Sequence, residues 1–304
     1  MHVAIATDEP GWHGERLQAA FAARDVDASF VSLRECRVDL EHSPHGIVIP
    51  GFEQRLPDGV FVRQVPGGTL EQVVLRLDIL HALKALGIPV YNDGRAIERT
   101  VDKAMTSFLL WRGGVPTPPT WVVESQTQAR DVVQRQTAAG GEVVMKPLFG
   151  SRGLGLRRVR GVDELPPGEE YAGVYYLQRF VEPGPDGYRD WRVFVIAGHA
   201  VAAMQRRGPD WINNVALGAA CQAVSAAGPL AQMAERACLA VDVDYGGVDI
   251  MRGRDDVTQV VEVNGIPAWR GLQSVSEFDI AQRLVDDFLL RHLGRSMQRR
   301  AAPA

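Results

Sequence analysis

Residues 245–265 read YGGVDIMRGRDDVTQVVEVNG. Two apolar runs, GGVDIM and TQVVEVN, flank the polar Arg254-Asp255-Asp256, the pattern of a β-hairpin. With the turn centred between Asp255 and Asp256, Asp249 falls directly across from Glu262. Asn264, two residues beyond Glu262, points to the same face. Two carboxylates in direct cross-strand register repel. Val248, Ile250, Val261 and Val263 mark the strands as buried, where an uncompensated carboxylate pair is costly. A divalent cation between the two acids removes the conflict; the alternative is an accidental pairing in which one of the three polar residues faces solvent. Oxygen donors of the Asp, Glu and Asn type suit Mg2+ or Mn2+, which usually also hold phosphate.

The remainder of the chain has the composition of a globular protein, 46% hydrophobic and 23% charged over 304 residues, enough for two or three units with a core. A net charge of -4 gives no reason to expect nucleic acid. Cys36, Cys221 and Cys238 are widely spaced, with neither metal-ligand spacing nor a disulfide framework, as expected in a reducing cytoplasm. The start MHVAIATDEP lacks the features of a signal peptide, and no apolar run is long enough to span a bilayer. The expected partners are therefore small molecules, with no nucleic acid and no membrane. The oligomeric state is left open, a homo-oligomer included.

Strand and helix patterns alternate over residues 1–95. HVAIATD, ASFVSL, HGIVIPG and IPVYND have strand character, and Glu15–Ala23 and residues 68–87 have helical spacing. This predicts an N-terminal α/β domain with a doubly wound parallel sheet. Residues 96–176 form a second expected unit, containing IERTVDKAMTSFLLWRGG as a single helix, the helix TQARDVVQRQTAAGG and the strands GEVVMKPL and LRRVR. Residues 177–293 form a third, with LQRFVE, DWRVFVIAG, HAVAAMQRR, the helix GPLAQMAERACLAVD and the hairpin. Residues 294–304 are expected to be a flexible tail.

Four further segments carry polar groups suited to an anionic ligand. In 143–159, VVMKPLFGSRGLGLRRV, Lys146 ends a strand, and Ser151 and Arg152 sit among Gly150, Gly153 and Gly155. Such a loop can lay N–H groups around phosphate, or be an ordinary mobile hairpin loop. It lacks a Walker lysine and no helix follows, so it is neither a P-loop nor a dinucleotide fingerprint. Lys103 is read on the polar face of its helix, with Val101, Met105, Phe108 and Leu109 on the apolar face; by itself it is a solvated charge. In Gln178–Val195 a strand leaves into a Gly/Pro turn and returns. Its end could read an adenine edge, Asp190 could take ribose hydroxyls and Arg192 phosphate, or the segment is a plain hairpin with a surface Asp–Arg pair. Arg206 and Arg207 with Asn213 and Asn214 suit an anionic substrate, or are merely a charged loop.

The order Lys103, Lys146 with its glycine loop, QRFVE, DWR, QRR…NN, GGVDI and VEVN resembles the ATP-grasp superfamily, specifically RimK-type α-L-glutamate ligases, over most of residues 85–290. That resemblance implies an ATP-grasp fold, α/β (α+β), whose two α+β subdomains clamp ATP behind the N-terminal domain. It implies ATP contacts from Lys103, Lys146, Ser151, Arg152 and Gly153, an adenine hinge at Gln178, Arg179, Phe180 and Val181, and Asp190 on the ribose. Arg206, Asn214 and Arg192 would face the reacting phosphate, and Asp249, Glu262 and Asn264 would hold two Mg2+ or Mn2+. There are two departures: Gln178-Arg179 stands where such ligases often read Gln-Glu, and GIPAWRGLQ follows VEVN in place of Ser-Pro-Gly-Leu-Glu-Gly. ERTVDKAMTSFLL and VNGIPAWRGLQ are most similar to tetrahydromethanopterin α-L-glutamate ligases and their methylotroph relatives.

The implied activity is an ATP-dependent ligase adding L-glutamate to a carboxylate acceptor through an acyl phosphate, the acceptor being a tetrahydromethanopterin-type carrier. The alternatives are a peptide or protein C-terminus, a methanofuran-type acceptor, or a small-molecule kinase on the same fold. Arg270 could hold an acceptor carboxylate and Trp269 cover a ring, or the two are a surface charge and a core aromatic. Arg63 with Gly67, Gly68 and Thr69 would supply an opposite wall.

Overall fold

The computed structural model describes residues 1–150, 153–212 and 218–294. The chain packs as two units: Met1–Ile97 with Val243–Tyr245 and the described residues from Gly265 on, and Glu98–Asp242 with Gly246–Asn264. Ser151, Arg152, Asn213, Asn214 and the expected tail beyond Gly294 lie outside the described residues.

The first unit runs β1 (His2–Ala6), α1 (Gly11–Ala22), β2 (Asp27–Val31), the short β3 (Arg37–Val38) and β4 (Ile47–Val48), β5 (Gly59–Val62), α2 (Leu70–Ala85) and β6 (Val90–Tyr91). Its main sheet is parallel in the order β2-β1-β5-β6, with Ala4 opposite Ser29 on one side and Val60 on the other. The HGIVIPG segment does not join that sheet. It pairs antiparallel with residues 37–38, and the third parallel strand is GVFV, buried at all four positions. A strand covered on both faces reads as an uninterrupted apolar run, so alternation does not reveal it. Thr69 and Gln72 form a reciprocal capping box that starts α2, and Gly87, at φ +77, follows its end.

Residues from Gly265 on return to this first unit. The helix Ile280–Asp287 buries Ile280, Ala281, Leu284 and Val285 and packs on α1. Phe288 then sets its ring edge-on to Phe21 (6.0 Å) and Phe61 (5.9 Å). Aromatic side chains bury more apolar area than any others, which gives physical grounds for the return; no periodicity in residues 265–293 announces which unit they join.

α3 (Gly94–Val101) precedes α4 (Lys103–Arg112). The expected single helix breaks at Asp102, whose carboxylate accepts from Ala104 N (2.8 Å) and Met105 N (3.1 Å), satisfying first-turn donors of α4. The burial of α4 is the reverse of the sequence expectation. Thr106, Ser107 and Leu110 are buried, while Val101, Met105 and Phe108 are exposed, and Trp111 is 70% exposed. Lys103 therefore lies on the inward side.

The second unit continues with β7 (Thr120–Val123), α5 (Gln126–Ala138), β8 (Val143–Lys146), β9 (Arg157–Val159), β10 (Tyr175–Arg179), β11 (Arg189–Ile196), β12 (His199–Arg207), β13 (Ala220–Val224), α6 (Pro229–Val241), β14 (Tyr245–Arg252) and β15 (Thr258–Asn264). Two sheets result, β7-β10-β8-β9 and β13-β12-β11-β14-β15. No helix among the described residues is long and apolar enough to cross a membrane.

Candidate nucleotide and metal site

The hairpin β14–β15 places Asp249 opposite Glu262, though not through the symmetric turn the sequence implies. Near the turn the register is Arg252↔Thr258 and Met251↔Gln259, which centres the turn on Asp255; a register shift between Asp249 and Ile250 then restores Asp249↔Glu262. Such a bulge inserts one residue on one strand and re-aims the side chains beside it. Val248, Ile250, Val260 and Val263 are fully buried beneath the pair, while Val261 is half-buried and turns to the cleft that Glu262 also lines.

The two acids are compensated differently. Arg192 grips Asp249 in a fork, Nε on Oδ1 and Nη2 on Oδ2 (2.6 Å), and Arg206 Nη2 reaches Asp249 Oδ1 at 2.9 Å. Arg206 Nε also donates to Asp190 Oδ1 at 2.6 Å, so the four side chains form one lattice on a single sheet face. Bidentate guanidinium–carboxylate pairs of this kind are the strong ones. Burial would raise the Asp249 pKa, but the two arginines hold it below the usual carboxylate range. Burial pushes Asp190 up to about 6, opposed by Arg206 and reinforced by the charge of Asp249. Arg206 is held fully charged by the two acids. Glu262, in contrast, has no hydrogen bond or ion pair among the described residues and shares its cleft with Lys103 and Lys146. Asn264 donates from Nδ2 to Gly247 O (3.4 Å), and no hydrogen bond among the described residues engages its Oδ1.

Both lysines point inward. Lys146 is 9% exposed at the end of β8 and donates to Gln178 Oε1 at 2.7 Å. Burial, opposed by Glu262 and aided by Lys103, brings its pKa down to about 8. Burial also lowers the Lys103 pKa, with Glu262 and Asp102 opposing. Lys103 Nζ donates to Gly150 O (2.8 Å) at the base of the glycine loop. A polar network absent from the sequence reading supports these lysines: Ser107 Oγ lies 2.7 Å from the Tyr176 hydroxyl, and Gln178 Nε2 donates to that hydroxyl (3.2 Å) and to Thr120 Oγ1 (3.1 Å). A signal was present, since Ser107 is one helical turn after Lys103 and Tyr176 lies two residues before Gln178 on the same strand face.

The hinge residues divide in role. The Gln178 side chain is consumed in that buried network. Arg179 Nε turns to Gln136 Oε1 (3.0 Å), and Phe180 is buried beneath Arg158, whose guanidinium stands 3.9 Å from the ring centroid. Arg179 and Phe180 spend their backbone N–H groups on Pro119 O (2.8 Å) and Glu142 O (2.9 Å). The Val181 N–H makes no backbone hydrogen bond among the described residues. In the glycine loop, Gly153 (φ +74) and Gly155 (φ +72) adopt left-handed backbone, where a Cβ would meet Ile212 Cγ2 at 2.9 Å and Pro147 Cγ at 2.7 Å. Tyr171 OH donates to Gly155 O (2.9 Å).

Arg270, Trp269, Gly68 and Thr69 belong to the first unit. Trp269 is only 1% exposed, a core aromatic. Thr69 is the N-cap of α2, and a Cβ on Gly68 would meet Gln72 Oε1 at 2.3 Å.

The donor set fits a phosphate-bound cation. Among the described residues no three His, Cys, Asp or Glu side chains cluster into an all-protein cage. Mg2+ is ordinarily held by one or two carboxylates plus substrate phosphates. Glu262 and the Asn264 Oδ1 meet that description directly, whereas Asp249 is saturated by arginine.

Residues 100–288 match the model of the RimK-like ATP-grasp domain, and residues 1–97 match that of the RimK PreATP-grasp domain. The tetrahydromethanopterin:alpha-L-glutamate ligase of Methanococcus maripaludis is 31% identical, covering 95% of this chain and 98% of that protein. The enzyme of the same name from Methanosarcina acetivorans is 32% identical, covering 88% and 91%. Among solved structures, the ATP-grasp ligase PsnB complexed with minimal precursor superposes with a TM-score of 0.73 at 22% identity over 95% of this chain and 98% of that one, a likeness of fold.

Proposed function

Because the chain belongs to the RimK-like ATP-grasp family, we propose that it is an ATP-dependent ligase joining L-glutamate to a carboxylate acceptor, with a tetrahydromethanopterin-type one-carbon carrier as that acceptor. The observation that carries this reading is the asymmetric hairpin. Among the described residues Glu262 has no hydrogen bond or ion pair and lies beside two inward lysines, while Asp249, directly opposite, is held by two arginines. Glu262 and the two ammoniums attract one another across the cleft without a direct ion pair among the described residues, an arrangement suited to a cation–phosphate ligand between them. The near full-length similarity to two tetrahydromethanopterin:alpha-L-glutamate ligases supports the choice of amine and acceptor.

In the reaction the acceptor carboxylate oxygen attacks the γ-phosphorus of ATP. An O–P bond forms, the β–γ bridge breaks and ADP leaves. The glutamate nitrogen then attacks the acyl carbon; the amide forms, phosphate departs and the amine proton is lost. Bound Mg2+ would neutralise phosphate oxygens during the first step. Lys146 and Lys103 would supply fixed positive charge at the phosphates, Lys146 positioned by Gln178 and Tyr176. Arg192 and Arg206, pre-oriented by Asp190 and Asp249, would supply guanidinium donors without reorganisation. Val181 would offer the backbone donor to the adenine edge. The glycine loop, anchored through Gly150 O and Gly155 O, would exclude water that would otherwise hydrolyse the acyl phosphate.

The test is mass spectrometry of products from pooled carboxylate acceptors incubated with ATP, Mg2+ and glutamate. An acceptor heavier by one glutamyl residue, with one ADP per amide, is the expected result. A stable phosphorylated acceptor without amide would make the protein a kinase. Product on a peptide or methanofuran-type acceptor alone would replace the carrier.

A further inference from the structure

We propose that the first unit carries a carboxylate subsite of its own, in which Arg63 and Arg270 hold an acid group of a substrate at the carboxyl edge of the parallel sheet. The proposal deepens the ligase reading above by giving one substrate acid a place on the chain.

The sheet order β2-β1-β5-β6 reverses direction between β1 and β5. In open parallel sheets, ligands bind at such a reversal, outside the carboxyl ends of the strands. Here those ends are tied together: Gln64 Oε1 accepts from Thr7 Oγ1 (3.3 Å) and from Asp8 N (3.1 Å). Arg63 leaves the end of β5. Its Nη1 donates to Pro267 O (3.1 Å), and its guanidinium stands 4.7 Å from the Trp269 ring centroid. Trp269 N donates to His13 Nε2 (3.1 Å), and the two rings meet edge-on at 4.6 Å. Arg270 follows, its guanidinium 5.9 Å from the Trp12 ring centroid. Residues far apart in sequence, 12–13, 63–64 and 269–270, thus converge within one unit.

This group lacks negative charge. Among the described residues neither Arg63 nor Arg270 has a carboxylate partner, although nearby arginines do: Arg34 with Asp8 (2.9 Å), Arg24 with Asp286 (2.6 Å) and Arg16 with Asp279. Asp8, the acid nearest the β1 end, is further turned away by Ser32 Oγ (2.7 Å). His13 registers both cations. Burial, then Arg63, then Arg270 bring its pKa down to about 4, so the ring is neutral and accepts the Trp269 N–H. α1 begins beside it with no side-chain cap and no acidic residue in its first turn, and its dipole adds to the same sign. Arg63 is half-buried and Arg270 reaches solvent; positive charge partly withdrawn from water, as at Arg63, is costly unless paired. Two guanidinium forks are the geometry that carboxylates accept best, and the Trp12 ring adds an apolar wall.

The acid could belong to the acceptor or to glutamate, and kinetics separate the two. Glutarate titrated into the ligand-free protein should change tryptophan fluorescence saturably, with no response to chloride at equal ionic strength. Arg270→Gln should weaken that response about tenfold or more, the loss of one charge-assisted contact, and Arg270→Lys should recover part of it. In turnover, Arg270→Gln should raise one KM by a similar factor and leave ATP affinity unchanged: the acceptor's KM if the acceptor's acid sits here, glutamate's if glutamate's does. Arg63→Gln should act in the same direction, but it also breaks the bond to Pro267, so Arg270→Gln is the primary variant. Equal titrations and equal KM values in wild type and Arg270→Gln would overturn the subsite. Failure of the ligase reading looks different: wild type forms no amide, and the glutarate titration still decides.

Discussion

Asp249 and Glu262 face each other across one hairpin, carry the same charge and lie in opposite electrostatic worlds. On the β14 side, Asp249 receives two guanidiniums and is part of a four-membered ion lattice with Asp190. On the β15 side, Glu262 has lysines in its cleft and no hydrogen bond among the described residues. Two carboxylates in direct register therefore differ: one is bound into the protein's own ion lattice, and the other is the one proposed here to meet a ligand. The difference arises in β11 and β12, which bring Arg192 and Arg206 to Asp249 and nothing to Glu262.

The largest effect is expected of Glu262→Gln. It should lower kcat by about a hundredfold to a thousandfold, as expected when a group stabilising transition-state charge is lost, with the melting temperature almost unchanged because no hydrogen bond or ion pair among the described residues is lost. A large loss of stability would show that Glu262 is structural after all. Asp249→Ala should do the converse in a melt or denaturant titration. It strands two buried guanidiniums and should cost about 3–5 kcal/mol; a neutral result would remove the lattice from the account. Next come the lysines. Lys146→Ala and Lys103→Ala should each weaken ATP binding by about 1.5–3 kcal/mol, and calorimetry showing unchanged affinity for both would exclude their phosphate roles.

The smallest expected effect is a pH dependence. The Lys146 pKa is depressed to about 8 by burial, below its ordinary 10.5, so the ammonium is charged below pH 8 and is lost as pH rises through it. ATP affinity should be flat below pH 8 and decline above it by at most the contribution of that one charge. Lys146→Arg, which stays protonated, should flatten the profile. A wild-type profile that is level from pH 7 to 10 would mean that the charge of Lys146 does not bear on the nucleotide.

The bulge at β15 shows how a correct pairing can rest on an incorrect turn. Counting outward from Asp255-Asp256 pairs Asp249 with Glu262, yet the turn is one residue shorter and the register is recovered only by the irregularity beside Ile250. In α4 the local pattern was misleading. Its apolar side chains made an obvious stripe, but the helix buries Thr106, Ser107 and Leu110 and exposes Met105, Phe108 and Trp111. Ser107 is bonded to Tyr176, and Lys103 gains a place in the cleft. Hydrophobic periodicity reports which face could be buried; tertiary partners decide which one is.

What the sequence determined by itself was local and ordered along the chain. Alternation in GGVDIM and TQVVEVN set the hairpin, Thr69 and Gly87 bounded α2, and the succession of Lys103, Lys146, Asp190, Arg206, Asp249, Glu262 and Asn264 pointed to a cation–phosphate chemistry. The tertiary structure decided which charges meet. It gave Asp249 to two arginines, left Glu262 to the lysines, buried Trp269 and returned the residues after Gly265 to the first unit, where Arg63 and Arg270 converge on His13. Backbone preference and side-chain alternation act over a few residues and are therefore written in the sequence. Electrostatic compensation and burial depend on groups more than fifty residues apart, as Arg192 and Asp249 are, and only the packed chain brings those groups together.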